Sequence, residues 1–435
     1  MTFVKQLDWQ SSEGNDTIFA MRRRQNNTRA LKFVLCCVLL LGVIAWGNSI
    51  VTFQPTQRIQ TGAGTTTVAL GDMNHDGLLD IITSTIIVTD EEKDLKTLNL
   101  VAVLGGPAGK FLAPQLFEFN SMRLDDAVKV PRGKVLGLGD LNGDGLLDTV
   151  LAYPTGGNFW VLWGDRASVF RPASNRDLPR GLRDVSAVAV ADFTHDGRPD
   201  IVCANLQGSV YIFINNGTEQ IDRWGVRETF VGGSLQSLAV DDLNRDGKTD
   251  IVVSSIGRAA VLLGDGTGGF RIAQRLAAGL YAGDSPAWIE IADINNDTFG
   301  DLVAANPESD RLLVFWGDGK GGLEEPLSLP TRALDPRAVV AADFNRDGWL
   351  DLAAANSSSN LVTVHLNDGS GGFGPRVLLD PPHGKPVQPN KAIPVLVGSL
   401  PVALASGDLD GDGDLDLVVA NQGDGSVSVL INERR

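Results

Sequence analysis

The sequence predicts an all-β fold: a seven-bladed β-propeller of four-stranded antiparallel blades, preceded by an N-terminal signal peptide or signal-anchor helix. Three observations carry the propeller. The nine-residue pattern D-x-N-x-D-G-x-x-D, with small variations, begins at Asp72, Asp140, Asp192, Asp242, Asp293, Asp343 and Asp408. Its separations are 68, 52, 50, 51, 50 and 65 residues, so one supersecondary unit of about 50 residues repeats along the chain. Apolar runs of strand length bracket every copy, and no helix-period segment of useful length interrupts them.

The chain opens on a different composition. Residues 1–32 hold six basic and three acidic residues and read as a basic n-region or short cytoplasmic tail. Residues 33–49 form the apolar signal or anchor segment. Its centre, FVLCCVLLLGVIAW, has 14 residues, which suits a secretory h-region and falls short of the roughly 20 that span a bilayer. Ala45 and Gly47 place small residues for cleavage after Gly47, and a start at Met21 gives the n-region an ordinary length. The alternative is an uncleaved single-pass anchor within residues 33–53, the sequence's one route to a membrane. Leu35 before Cys36 argues against lipidation, and Cys203 sits in an apolar run as a buried thiol.

Each unit then reads as four strands. The first ends at the motif (KVLGLGD, SAVAVAD, AVVAAD) and the second begins at its last Asp (LDTVLAY, PDIVCAN, LDLAAAN). Runs rich in Val, Ile and Ala, bounded by Gly, Asn and Asp, are strands buried on both faces. A third strand (SVYIFINN, AAVLLGDG, LLVFWGDG) runs into a Gly-rich turn such as GDGTGGF. A more polar fourth strand opens with Phe and a nearby Pro, as at Phe111 and Pro114, Phe170 and Pro172, Phe373 and Pro375, which suits an edge where a missing N–H costs nothing. The last unit stops after its third strand, at Ile431–Asn432. Residues 50–62, which repeat the Phe…Pro opening at Phe53 and Pro55, are expected to close blade 7 as its outer strand, making residues 50–435 one domain.

The repeated loop, the apolar strand after it and the G-x-G-x-F-type turn resemble the FG-GAP/VCBS repeats, which build the seven-bladed propeller of integrin α subunits and many bacterial secreted proteins. The resemblance covers all seven units, about 385 residues. It implies a propeller fold and a metal, and says little about biological role.

The loop residues point to the same metal on chemical grounds. Side chains at positions 1, 3 and 5 of a tight loop converge, and position 9 brings another carboxylate from the second strand. The expected ligands are Asp72, Asn74, Asp76 and Asp80 in loop 1, Asp140, Asn142, Asp144 and Asp148 in loop 2, and Asp192, Thr194, Asp196 and Asp200 in loop 3. Loops 4, 5 and 6 offer Asp242, Asn244, Asp246 and Asp250; Asp293, Asn295, Asp297 and Asp301; and Asp343, Asn345, Asp347 and Asp351. Loop 7 offers four carboxylates, Asp408, Asp410, Asp412 and Asp416. Hard oxygen donors in this number suit Ca²⁺, so up to seven ions are expected. Position 12 (Thr83, Leu151, Cys203 in the first units) lies inside strands, which excludes an EF-hand. Loop 7 is expected to bind tightest. Loops 3 and 5 are expected to be weakest, because Thr194 replaces Asn and Thr298 replaces the turn Gly.

Charge bounds the partners. The whole chain carries -16, and residues 33–435 carry -19, which seven Ca²⁺ would reduce to -5. Such a body repels a phosphate backbone, so no nucleic acid is expected. Three insertions, residues 88–98, 118–133 and 380–400, fall on the face opposite the calcium loops and are the expected surface for a protein or glycan ligand. No G-x-S-x-G or H-E-x-x-H occurs; His75 and His195 sit at position 4 of calcium loops as solvent-facing side chains, and no enzyme is expected. The reading is an extracytoplasmic calcium-binding scaffold for protein, adhesion or matrix interaction, secreted, periplasmic or at the cell surface. The alternatives are a lectin-like propeller and a calcium-dependent polysaccharide lyase or hydrolase. Trp163 and Trp316 end only two of the third strands, which suits inter-blade packing better than a repeated sugar site.

Overall fold

The computed structural model describes residues 51, 53, 57–90, 95–118, 134–153, 158–171, 182–276, 288–373, 377–378 and 395–433. The chain divides into two units, Met1–Asn48 and Ser49–Arg435. The first lies outside the described residues, and with it the calls on residues 1–32, Met21 and the apolar segment. No helix among the described residues is long and apolar enough to cross a membrane.

The second unit is a ring of seven antiparallel sheets. The blades, each in the order of its strands from first to outer, are as follows in words. Blade 1 comprises Thr67–Gly71, Asp80–Asp90, Leu95–Val103 and Gln115–Glu118. Blade 2 comprises Leu136–Gly139, Asp148–Tyr153, Asn158–Asp165 and Val169–Arg171. Blade 3 comprises Val185–Ala191, Asp200–Asn205, Ser209–Ile214 and Gly225–Phe230, and blade 4 Leu235–Asp241, Asp250–Ser255, Arg258–Gly264 and Phe270–Leu276. Blade 5 comprises Trp288–Ala292, Asp301–Asn306, Arg311–Phe315 and Leu327–Pro330, and blade 6 Pro336–Ala342, Asp351–Asn356, Leu361–His365 and Val377–Leu378. Blade 7 comprises Pro401–Gly407, Asp416–Asn421, Ser426–Leu430 and, from the other end of the chain, Gln57–Gln60.

First strands of neighbouring blades pack against one another all the way round, blade 7 against blade 1 included. The second strands of blades 3 to 7 are buried at every residue, which is why they read as unbroken apolar runs rather than alternating ones. The outer strand of blade 4 alternates between half-buried and exposed, as an edge with one solvated face must. Aromatic rings fill the seams between blades: Phe117 meets Phe170 at 5.2 Å and Phe159 meets Phe213 at 4.9 Å, both edge-on. Trp163 is 4% exposed inside the core shared by blades 2 and 3, so it packs the seam and presents no sugar platform.

Ring closure is a four-residue ladder, with Gln57 opposite Val429 and Gln60 opposite Ser426. Phe53 bridges Asn432, and its ring meets that of Phe344 edge-on at 6.3 Å. Val51 and Phe53 are core residues of the propeller, 2% and 8% exposed. Of the residues 33–53 that the sequence offers as an anchor, only Val51 and Phe53 are among those described, and both belong to the ring.

Two insertions also differ from expectation. Residues 88–98 do not simply lengthen a loop, because the blade 1 hairpin continues as a ladder that pairs Val88 with Lys96 and Asp90 with Leu95. Residues 380–400 are not wholly linker. Val395–Leu396 returns to pair with Leu361–Val362, beside the pairing of Val377–Leu378 with Thr363–Val364, so two short pieces share the outer place of blade 6. Residues 119–133 and 379–394 lie outside the described residues.

Candidate metal centres

Each loop joins the first strand of a blade to its second, so all seven stand on one face of the ring. Their backbones agree closely. Position 6 is left-handed in every loop, with φ 80–87 at the six glycines and φ 81 at Thr298, the one residue there with a side chain to strain. Position 4 is left-handed too, at His75, Gly143, His195, Arg245, Asn296, Arg346 and Gly411. Two left-handed residues two apart wind the chain tightly enough for its own N–H groups to point at the loop's carboxylates.

The position-1 carboxylate accepts the N–H of position 6 at 2.7–2.9 Å in all seven loops. The position-5 carboxylate accepts the N–H of position 7 at 2.7–3.0 Å. At position 3 an Asn or Asp oxygen accepts the N–H of position 5 at 2.9–3.2 Å in every loop but the third. There Thr194 makes no such bond and turns its hydroxyl toward Asp192 at 3.5 Å. These bonds fix the orientation of the loop's oxygens, Asp140 Oδ1 accepting from both Gly143 and Asp144.

Position 9 is built differently. Asp80, Asp148, Asp200, Asp250, Asp301, Asp351 and Asp416 are all fully buried. One oxygen accepts the N–H of position 2 at 2.8–3.2 Å. The other accepts, at 2.7–2.8 Å, the N–H of the residue that follows or ends the third strand. This carboxylate therefore staples the loop to the turn beside it. Burial pushes its pKa up despite the two donors, to about 6 at Asp148, Asp250 and Asp301 and about 7 at Asp351 and Asp416, with nearby loop carboxylates adding to the rise.

The residue that donates to position 9 is Gly105, Gly164, Gly264 or Gly317 in four blades and Asn215, Asn367 or Asn432 in the other three. Geometry explains the restricted choice. A Cβ on Gly105 or Gly264 would lie 2.4 or 2.3 Å from the position-8 carbonyl oxygen, of Leu79 or Thr249. In blades 3, 6 and 7 the Asn amide instead donates to that position-8 carbonyl and, with the same nitrogen, to position 2 of the preceding blade's loop: Leu141, Ile294 and Phe344, at 2.7, 2.8 and 2.9 Å. Sequence reasoning missed these latches. Their only trace was an Asn at the end of SVYIFIN, LVTVHLN and SVSVLIN.

The loops differ in what they bring together. In loop 7, oxygens of Asp408, Asp410 and Asp416 lie within 4.8 Å of one another, the one such carboxylate group among the described residues. Asp410 is shifted up by burial and by the like charges of Asp412 and Asp408 beside it. In loops 3 and 4 a basic residue at position 7 pairs with the position-5 ligand: Arg198 with Asp196, and Lys248 with Asp246 at 3.3 Å. In both loops the pair engages a carboxylate that the sequence expects to face a metal, which the motif did not reveal.

Position-4 side chains reach the next loop over half of the ring. Arg245 lies over the Phe299 ring at 5.4 Å, and Asn296 donates to the carbonyl of Gly348 at 2.9 Å. Arg346 donates to the carbonyl of Asp412 at 2.9 Å and pairs with Asp414 at 2.7 Å. His75 and His195 are exposed. Cys203 is fully buried, and burial pushes its thiol pKa well up, so it is inert packing.

Comparison with known proteins agrees with this architecture. A family model described as FG-GAP-like repeat matches residues 140–203, 192–253, 242–304, 293–354 and 343–419. Integrin alpha-V of Gallus gallus is 28% identical over 177 residues, 34% of this chain and 16% of that protein, so the shared stretch is a small part of the relative. Among solved structures, BBS1N, crystallised in complex with ARL6DN, superposes with a TM-score of 0.52 at 14% identity, covering 88% of this chain and 98% of that one. That likeness concerns the fold alone.

Proposed function

The chain belongs to the FG-GAP-like repeat family, and from that premise we propose that it is a non-catalytic, extracytoplasmic propeller whose blade loops hold Ca²⁺ and whose rigid ring presents a surface to a protein partner. The observation that carries the calcium reading is loop 7, where three carboxylates converge within 4.8 Å and Asp410 is held above the ordinary carboxylate range by burial and by Asp412 and Asp408 beside it. A cation between them removes that repulsion, and Ca²⁺ takes six to eight hard oxygens of this kind. The protein's own part is orientation. Backbone N–H groups hold the carboxylates at positions 1, 5 and 9 before any ion arrives, as at Asp408, Asp412 and Asp416.

The scaffold reading rests on the similarity to integrin alpha-V and on a ring tied at every blade by a buried Asp. Exposed loop sites of this chemistry have dissociation constants of about 10⁻⁵–10⁻³ M, which matches calcium outside the cytoplasm. A calcium titration of the full chain, starting from the chelated protein, tests the proposal. The melting temperature is expected to rise steeply as about one ion per competent loop is bound. Calcium bound with no gain in stability, or not bound at all, would sink the structural role.

A further inference from the structure

A cavity of about 450 Å³ opens between blades 3 and 4, lined by the linker Val231–Gly233, Leu235 and residues of the blade 4 hairpin. The linker and the Ile256–Gly257 turn place it on the face opposite the metal loops. Its chemistry is unusual for an acidic chain. Arg258 and Arg275 line it, and no carboxylate does. Ala260 pairs with Arg275, so Arg258, two residues before Ala260 on the same strand, projects from the same face of the sheet. Arg275 is held by the carbonyl of Val231 at 2.8 Å. Apart from Ser255 the rest of the lining is apolar or glycine, with Val231, Leu235, Val253 and Leu276 its bulkiest members.

The linker beside the cavity starts like the blade 5–6 linker, Thr331–Arg332–Ala333, where Ala333 is buried. In each linker the first residue donates to the carbonyl of the preceding turn, Val231 to Gly208 and Thr331 to Asp310, at 2.8 and 3.0 Å. Gly232 is left-handed like Arg332, but Gly233 is left-handed too, at φ 80, where Ala333 is not, and a Cβ on it would press on Ser255 at 3.2 Å. Phe230 and Ile256 flank the mouth, 69% and 58% exposed, the two most exposed large hydrophobic side chains among the described residues.

We propose that this cavity is a docking site for an acidic peptide segment of a partner protein, with a carboxylate between Arg258 and Arg275 and a bulky apolar side chain against Phe230 and Ile256. The inference rests on the scaffold reading and names the chemistry of its partner. Guanidinium forks match carboxylates in shape and charge, and an apolar rim of this exposure is unexpected on a surface that meets only water.

The test uses the full chain and a fluorescent, capped peptide, Glu-Glu-Leu-Phe, beside its Gln-Gln-Leu-Phe counterpart, read by anisotropy. The acidic peptide is expected to bind, to weaken with added salt and to lose roughly tenfold or more in affinity with Arg258→Glu or Ile256→Ser. Arg258 is exposed, so its replacement leaves the fold intact, which the melting temperature checks. Equal binding of the two peptides, or binding indifferent to Arg258→Glu, overturns the proposal, as does a free dicarboxylate such as glutarate competing as well as the peptide. A partner protein whose capture survives Arg258→Glu would leave the scaffold reading standing and remove the cavity from it. A Ca²⁺ titration without stabilisation would remove the calcium-built scaffold and leave peptide binding to be judged alone.

Discussion

Loops 5, 6 and 7 and loops 1 and 2 share one motif and one backbone, yet they stand in different company. Loop 5 reaches loop 6 through Asn296, loop 6 reaches loop 7 through Arg346, and Asn367 and Asn432 latch the same two seams from below. Between loops 1 and 2, among the described residues, the contact is apolar, with Gly71 set close to Leu147. The ligand positions do not make this difference. Position 4 contributes, because its left-handed backbone aims the side chain sideways: Asn296 and Arg346 there find the neighbouring loop, while His75 of loop 1 stays exposed. The loop motif is thus common to the blades, and a residue outside the expected ligand set makes the seams differ.

The strongest way to break this comparison is to remove the buried staple on each side. Asp416→Ala strands two buried N–H groups, those of Leu409 and Asn432, at a cost of about 1–3 kcal/mol each. Asp80→Ala does the same to Met73 and Gly105. The Asp416 variant is expected to lose more in melting temperature and to weaken calcium binding beyond one site, because loop 7 is tied to loop 6. Equal losses would show the seams to be energetically alike.

Acidity gives the next largest effect. In the chelated protein the folded pKa of Asp351 and Asp416 is about 7, well above the ordinary carboxylate value. A raised carboxylate pKa means the folded state holds the proton more tightly, so stability is greatest below the unfolded pKa and falls as pH rises through about 7. Melting of the metal-free protein across this range should decline with pH, with Asp148, Asp250 and Asp301 giving way first, near 6. A metal-free protein that grew more stable toward neutral pH would contradict the assignment.

Thr298→Gly is expected to stabilise by about 1 kcal/mol, since φ 81 strains any residue with a Cβ, and to tighten loop 5. Differential calorimetry with and without calcium separates the two gains. The smallest effect belongs to the Arg346–Asp414 pair, whose arginine is 40% exposed and screened by solvent. A double-mutant cycle with Arg346→Ala and Asp414→Ala should return about 0.5 kcal/mol in calcium and less at high salt. A null coupling there would leave the link between loops 6 and 7 to Asn432 and to the bond from Arg346 to the Asp412 carbonyl.

The ring itself was legible in the chain because each blade is written locally: an apolar run, a loop with obligatory left-handed turns, another apolar run. Even the closing strand was readable, as the outer-strand signature at Phe53 displaced to the far end of the sequence. What was not legible depends on distances between blades. The Asn215, Asn367 and Asn432 latches join residues 73–88 positions apart, and an Asn at a strand end looks like any turn residue until the preceding blade is beside it. The pairing of Lys248 with Asp246 was missed for another reason, since a basic residue at position 7 reads as solvated until its rotamer is seen. Residues 88–98 read as a loop because their charges mask the alternation of a hairpin, which the register of Val88 and Lys96 makes plain. The cavity beside Arg258 was invisible because its lining comes from a linker and the strands of blade 4 that only the fold brings together.

The ladder between Gln57–Gln60 and Ser426–Leu430 also has a mechanical meaning. Any tension borne by the chain ahead of Val51 enters the ring at that strand and at Phe53 just before it. The fourfold pairing is then the fuse of the whole assembly: peeling it frees one edge of blade 7, and a circle whose blades brace one another becomes an open row with two ends to fray.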